Sequence, residues 1–565
     1  MATRTDVLGL AITTALAAML GSCATPAAVP RVLQAPVSEQ RPPEPPKLIV
    51  QVTVDQLRTD LLTRYADRFV AGGLRRFLDD GLFFHNAHYA HAITETAVGH
   101  ATLFTGALPS MHGIVGNEWL EAGHKRTSVE DARYPLLGAA KPAAGASPDA
   151  LRVSTLGDQL ELASDGAALV FSVSIKDRAA ILPAGHAGKA FWYEEASGRY
   201  VTSSYYYPEL PGWLGTFLAH DPLARFPLQW SLLLPPESYR NRARDARPFE
   251  KALHAADGTA FPHTLTGTEP RVRYSAIKHS PFGDELTLDL VTALLEAEPL
   301  GRDDATDLLA ISFSSTDIVG HAFGPESLEA EDNLVRLDRV IARLFDLLLQ
   351  RVEEQRLVVA LSADHGISET PEHLLSLGLP AGRHPAGTQL VQELNSQLVA
   401  QLGASGDFVS AFANPCLWLD EAKVKARGLS MEDAERMVAE LVLARPGIAR
   451  AITRSDLLRN RLPDNEIEQR VRMSFDAERT GHVYLVPDPG WIQATDPADL
   501  AAMHGTPYLF DRAVPVAFWG LGLPQGRIGE PADPRDIAPT LARLARVQPP
   551  NGSSGRVLSQ VVGPE

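Results

Sequence analysis

Asp307-Leu-Leu-Ala-Ile-Ser-Phe313, Asp317-Ile-Val-Gly-His321, and Leu357-Val-Val-Ala-Leu361 followed by Asp364-His365-Gly366 carry the reading of the fold. The two apolar runs are continuous rather than strictly alternating, the pattern of strands buried on both faces. Between them Leu334, Leu337, Val340, Ile341, Leu344, Leu347 and Leu348 recur at helical spacing. Strand, helix, strand, with polar residues just past the strand ends, predicts an α/β fold. In such folds sites collect at the carboxyl ends of the strands.

Working outward, Leu48-Ile-Val-Gln-Val-Thr-Val54 ends at Asp55, and Ala168-Leu-Val-Phe-Ser-Val-Ser-Ile175 ends at Lys176. A strand at Val514–Trp519 and a helix around Asp536–Val547 are expected to close the same domain. Between Gly366 and Met503 lies a long insert with its own helix (Met431–Leu443) and a Pro-rich turn (Val486–Gly490), read as a small second lobe. The segment Ala179–Phe282 is rich in aromatics and proline, and its rings are expected to pack as a cover over the sheet rather than to stack on a substrate.

The chain has 565 residues with 45% hydrophobic content, enough to build a large core and too apolar for intrinsic disorder. Lys and Arg number 52 against 69 Asp and Glu, a net charge of −17, which argues against nucleic acid as a specific partner. Two cysteines, Cys23 and Cys416, cannot make a disulfide framework.

Residues 1–22 read as a signal peptide: Arg4 precedes an apolar run, Val7–Leu20, of 14 residues. A membrane-spanning helix needs about 20. Leu20-Gly-Ser-Cys23 resembles a lipobox that would leave Cys23 lipidated as a membrane tether; cleavage by an ordinary signal peptidase is the alternative. Either predicts export, to the periplasm or to an outer-membrane anchor. Residues 23–46 form a Pro-rich linker, 47–550 the main domain with inserts at about 179–282 and 366–503, and 551–565 a tail.

Asp55, Asp317 with His321, Asp364 with His365, and His504 supply three carboxylates and three imidazoles. That mixture suits Zn²⁺, which takes nitrogen and carboxylate oxygen, better than Ca²⁺ or Mg²⁺, which prefer oxygen. Each group alone is weak evidence, since an Asp after a strand is more often a helix cap and 17 histidines place several near an Asp by chance. Their joint placement after strands is the signal.

A further segment, Thr94-Glu-Thr96-Ala-Val-Gly-His100-Ala-Thr-Leu-Phe-Thr105-Gly-Ala-Leu-Pro109-Ser-Met-His112-Gly-Ile-Val-Gly-Asn117, is dense in hydroxyls, glycines and histidine. Here the chain resembles the threonine-nucleophile group of the alkaline phosphatase superfamily, which holds the nucleotide pyrophosphatase/phosphodiesterases and the phosphate-irrepressible alkaline phosphatases. The likeness runs from about Pro46 to about Val547. It implies a three-layer sandwich with a mostly parallel central sheet, helices on both faces and inserted cap segments. It also implies Thr96 as nucleophile, Asn117 as amide donor to a phosphate oxygen, and two Zn²⁺ per chain. Asp317, His321 and His504 would hold one zinc; Asp55, Asp364, His365 and the Thr96 oxygen would hold the other. His100 and His112 are expected to hold the loop rather than a metal.

The resemblance further implies that Ser174-Ile-Lys176-Asp-Arg178 separates monoesterases from diesterases, because a Lys-x-Arg pair contacts the extra charge of a monoester dianion. Residues two apart on an extended segment share a face, so both cations can serve one site. Pro183-Ala-Gly-His186, Tyr193 and Gly99 point the same way. The expectation is a secreted or lipid-anchored alkaline phosphatase acting on small-molecule phosphate monoesters through a phosphothreonine; the alternative is a phosphodiesterase of the same superfamily. A sulfatase would need a Cys-x-Pro-x-Arg context, which Asn414-Pro-Cys-Leu-Trp418 does not match. A binding protein with a decayed site is disfavoured because nucleophile and ligand types are all present.

Overall fold

The computed structural model describes residues 44–140, 144–254, 257–385, 387–403, 406–413, 415–494 and 500–563. The leader, Cys23 and all of the linker before Glu44 lie outside the described residues.

Apolar runs without a polar face can only be buried between two layers, and the sheet shows this directly. Its ten strands lie in the order Gly526–Ile528, Leu82–Phe84, Val516–Gly520, Leu357–Ser362, Leu48–Val54, Asp307–Phe313, Val170–Ser174, Lys189–Glu194, Arg199–Ser203, Leu136–Leu137. The five strands from Leu357–Ser362 to Lys189–Glu194 are mutually parallel, and antiparallel pairs flank them. Alternate residues of the central strands enter opposite cores. Val50, Val52, Leu309, Ile311, Val359 and Leu361 pack with Leu286, Leu294, Leu337 and Ile341 of the helices Phe282–Ala297 and Leu328–Arg351. Ile49, Leu308, Ala310, Val358 and Ala360 face Leu103, Leu156, Leu160, Ile537 and Leu541, from the helices Thr96–Thr105, Leu156–Ala163 and Ile537–Ala545. Helix, sheet and helix make three layers.

Register then places the site. Thr53 is level with Ser312 and with Ser362, and Ser312 with Ser174, so four neighbouring strands end together. Asp55, Lys176 and Asp364 follow those ends within two residues, and Asp317 lies on the helix Ser315–Phe323 that begins just after the fourth.

Two stretches have more structure than periodicity alone indicates. Lys189–Glu194 and Arg199–Ser203, inside the 179–282 segment, belong to the main sheet. The 366–503 segment holds an antiparallel sheet in the order Val409–Ala413, Cys416–Leu419, Val483–Pro487, Ile448–Thr453. With the helices Gly387–Leu402 and Met431–Leu443 it has its own apolar core around Leu394, Leu417, Val438 and Val483. Phe191, Trp192 and Tyr193 are buried in the cores, as rings that pack rather than rings on a surface.

Candidate active site

Thr96 is the first residue of the fully buried helix Thr96–Thr105. A helix N-terminus presents unpaired N–H groups and positive potential, which favours an anion beside this hydroxyl. Asn117 is tied to the same end: its Oδ1 accepts from Ala97 N–H at 3.0 Å, while its own N–H donates to Glu95 Oε2 at 2.6 Å. With Oδ1 so engaged, the amide NH₂ is turned to other acceptors. Gly99, one turn in, sits so close to the strand-end loop that a Cβ would lie 2.1 Å from the Asp364 carbonyl oxygen.

Lys176 precedes the helix Asp177–Ala184, and its ammonium is buried among acids: 2.7 Å from Asp55 Oδ2, 2.5 Å from Asp317 Oδ2 and 3.5 Å from Thr96 Oγ1. Burial opposes its charge, but Asp317 and Asp55 outweigh that and raise its pKa. Arg178 lies beside it, half-buried, with Nε lacking a hydrogen-bond partner among the described residues. Both cations line one cavity of about 540 Å³ together with Asp317 and His321.

The acidic and imidazole groups converge. Asp55, Asp364 and His365 offer ligand atoms within 4.8 Å of one another, and so do Asp317, His365 and His504. His321 joins the second group, with Nε2 3.2 Å from Asp317 Oδ1 and 3.1 Å from His504 Nε2. The rings of His365 and His504 stack at 3.6 Å. All six residues expected to hold metal therefore meet at the strand ends, beside Thr96, whose Oγ1 is 3.5 Å from His365 Nε2.

Backbone carbonyls set the tautomers. Nδ1 of His321 faces the Ala502 oxygen at 2.8 Å, Nδ1 of His365 faces Gly366 at 2.9 Å and Nδ1 of His504 faces Thr94 at 2.7 Å. Each Nδ1 must then carry the proton, which leaves each Nε2 lone pair pointing inward. The Nε2 atoms of His321 and His504 thus confront each other, an arrangement that requires a proton or a metal ion between them. Burial disfavours a charged His504, yet its bond to Asp317 raises its pKa to about 9. Burial lowers that of His365 to about 3.

The carboxylates are equally short of partners. Asp55 Oδ2 faces the Lys176 ammonium at 2.7 Å and Asp364 Oδ2 the His100 ring at 3.2 Å, while the buried Asp55 Oδ1 accepts no hydrogen bond among the described residues. Burial and the neighbouring Asp364 push Asp55 well above the usual carboxylate range. For Asp317, burial is overcome by Lys176 and His321, which hold it well below that range. One ammonium cannot neutralise three buried carboxylates, so the donor set fits divalent cations.

Three supporting residues carry no motif of their own. Gln56 has φ of 72°, in the left-handed region, and this strained turn aims its N–H at Asp364 Oδ1 (3.1 Å) while its Nε2 donates to Asp317 Oδ1 (2.6 Å). Glu95 positions Asn117, and Ser312 lies 2.9 Å from His100 Nε2. The sequence signal was adjacency alone: Gln56 follows Asp55, and Glu95 precedes Thr96. His100 also contacts Asp364 Oδ2 at 3.2 Å and the Thr96 carbonyl at 2.8 Å, whereas His112 bonds Thr102 and the Ile114 N–H. Cys416 is buried, and burial pushes its thiol to about 12.

The family model for type I phosphodiesterase/nucleotide pyrophosphatase matches residues 49–507. Alkaline phosphatase PafA of Elizabethkingia meningoseptica is 33% identical over 523 residues, 92% of this chain and 95% of PafA. Alkaline phosphatase PhoV of Synechococcus elongatus is 32% identical, over 92% of this chain and 93% of PhoV. The crystal structure of wild-type PafA superposes with a TM-score of 0.86 over 93% of this chain and 100% of PafA. A PafA variant with Thr replaced by Ser, and Asn, Lys and Arg replaced by Ala, superposes equally well.

Proposed function

This chain belongs to the type I phosphodiesterase/nucleotide pyrophosphatase family within the alkaline phosphatase superfamily and is a phosphatase, and from that premise we propose that it hydrolyses phosphate monoesters through a phosphothreonine at Thr96. The observation that carries the reading is the Lys176 ammonium, within 3.5 Å of the Thr96 hydroxyl and in contact with Asp55 and Asp317. A monoester dianion brings one more charge than a diester, and Lys176, Arg178 and the Asn117 amide are the donors for its oxygens. The residue types changed in the PafA variant are Thr, Asn, Lys and Arg, the types of Thr96, Asn117, Lys176 and Arg178, in the same chain order and with the same Thr-to-Asn and Lys-to-Arg separations.

Thr96 Oγ attacks phosphorus from the helix end; the Oγ–P bond forms as the ester P–O bond breaks, the threonine proton passes to solvent, and the departing oxygen takes a proton from water. Water then adds to phosphorus, the Oγ–P bond breaks, and phosphate leaves with the hydroxyl restored. Positioning and charge neutralisation do most of the work in such transfers. Asp55, Asp364 and His365 would hold one zinc ion, and Asp317, His321 and His504 the other. What zinc supplies when bound is a lowered pKa for the attacking hydroxyl and neutralised phosphoryl charge.

Export, as a secreted protein or one tethered through a lipidated Cys23, belongs to the same reading and rests on the leader pattern. Among the described residues no helix is long and apolar enough to cross a membrane.

The family model keeps diester hydrolysis as the second reading. The test compares an aryl monoester with an aryl diester, on wild type and on the Lys176→Ala/Arg178→Ala double variant. We expect wild type to prefer the monoester, and the variant to lose about 10²-fold or more on it, the worth of two charge-assisted hydrogen bonds. Diester turnover should change far less. Equal losses would remove the monoesterase assignment.

A further inference from the structure

The cavity that receives Lys176 and Arg178 has a second wall, built by the segment between residues 179 and 282. That wall carries Lys251, Lys278 and His279, with Glu195 its carboxylate and Leu253 its apolar floor. Lys251 is anchored where the ligand-bearing helix ends, its N–H donating to the Ala322 oxygen at 2.8 Å. Lys278 is held by Glu195 at 3.0 Å, and its helix is fastened to the sheet by Tyr193, whose hydroxyl donates to the Tyr274 oxygen at 3.1 Å. The His279 Nδ1 is engaged by the Ser275 oxygen at 2.8 Å, which leaves Nε2 as the ring's open atom.

Charge makes this arrangement unusual for the chain that contains it. The protein carries 69 acidic and 52 basic residues. The lining of its active-site cavity nevertheless holds four cations, Lys176, Arg178, Lys251 and Lys278, and two carboxylates: Glu195, which engages Lys278, and Asp317, which with Asp55 engages Lys176. A field reversed in sign within a cleft draws anions from solvent. The attacked phosphoryl group accounts for Lys176 and Arg178. It does not account for the cations on the opposite wall. At about 540 Å³ the cavity also exceeds what one phosphoryl group fills.

We propose that this wall is a leaving-group subsite for a second phosphate, so that the enzyme prefers esters whose alcohol part is itself phosphorylated. Lys251 and Lys278 are its recognition groups and Glu195 positions Lys278. Long flexible ammonium arms suit substrates in which the distance between phosphates varies. This deepens the monoesterase reading and depends on it for the orientation of the substrate.

Glucose 1,6-bisphosphate and glucose 6-phosphate present a matched pair, with and without the second phosphate, and p-nitrophenyl phosphate has an uncharged leaving group. On metal-loaded full-length protein, kcat/KM should favour the bisphosphate over glucose 6-phosphate by about tenfold or more, the worth of one charge-assisted hydrogen bond. Lys251→Met/Lys278→Met should abolish that preference while p-nitrophenyl phosphate turnover changes less than about twofold. Glu195→Gln, which removes the carboxylate that positions Lys278, should lower the preference. Calorimetry gives a readout independent of turnover: pyrophosphate should bind more tightly than orthophosphate, and the double variant should lose the difference. Equal bisphosphate and monophosphate rates in wild type, or a preference untouched by the double variant, overturn the subsite alone. Absence of any monoester turnover with the pyrophosphate preference intact would count against the monoesterase reading while supporting the subsite.

Discussion

Thr96 and Lys176 have no ordinary structural reason to be where they are. An ammonium beside a hydroxyl, both buried, with three carboxylates around them, is costly unless an anion or cations complete the set. At this scale Thr96→Ala should lower monoester turnover by at least about 10³-fold, as removal of a nucleophile does, while Thr96→Ser retains turnover and a covalent phosphoenzyme trapped by acid quench. Full activity of the alanine variant would exclude the threonine. Of the proposed site residues, Asp55 and Asp364 were readable because each closely follows an apolar run, as Asp55 does after Val54, whereas Thr96 was readable only through the family resemblance. Gln56 was not, because its part depends on a left-handed backbone turn that periodicity does not report.

Elements set how closely these residues approach. The helix Thr96–Thr105 crosses the Asp364 loop with no room for a side chain at Gly99. Gly99→Ala must push the two backbones apart. We expect a destabilisation of about 1–3 kcal/mol from overpacking. Activity should fall about 10²-fold, because misplacing reacting groups by an ångström has that effect. Thermal unfolding and kcat on the same preparation measure the two effects separately.

A second element-scale test lies away from the chemistry, where His263 sits between Asp257 (3.1 Å) and Glu329 (3.2 Å) at the start of the helix Leu328–Arg351. Burial opposes the charged ring, but both hydrogen bonds raise its pKa to about 9. Asp257 is lowered by the contact, though burial works against it, whereas burial keeps Glu329 raised, so the Asp257 contact is the firmer one. A folded pKa above the unfolded value of about 6.5 means the stabilisation is complete below pH 6.5 and is lost as pH rises through 9. Urea unfolding should therefore show stability falling by on the order of 1–3 kcal/mol between pH 6 and 10, and His263→Gln should flatten that slope.

For the molecule as a whole, the candidate metal-ligating groups follow three adjacent parallel strands, Leu48–Val54, Asp307–Phe313 and Leu357–Ser362, so on the proposed reading their occupancy bears on the stability of the entire sheet. Chelation should abolish monoester turnover and lower the unfolding free energy. A ligand at a hundred times its Kd contributes about 2.7 kcal/mol by mass action. Zn²⁺ added back should restore both, with elemental analysis giving the count per chain. Turnover that survives exhaustive chelation would refute the metal assignment. The acidic charge of −17 is compatible with anionic substrates because the Debye length is about 8 Å at physiological salt, which leaves the field inside the cleft to its own cations.

By itself the amino-acid sequence determined the central strands, the long amphipathic helix and the residues that follow each strand, since those depend on hydrophobic patterns a few positions long. The short edge strands Leu82–Phe84 and Gly526–Ile528 have too few residues for such a pattern, and Lys189–Glu194 was hidden in a stretch expected to be an insert. Only the tertiary structure decided that Lys176 reaches both Asp55 and Asp317, that His321 and His504 turn their Nε2 atoms on each other, and that residues from the 179–282 stretch form the second wall of the cavity. The reason is physical: strand order and register come from packing the whole sheet against its helices, and local periodicity carries no information about which distant strand becomes a neighbour.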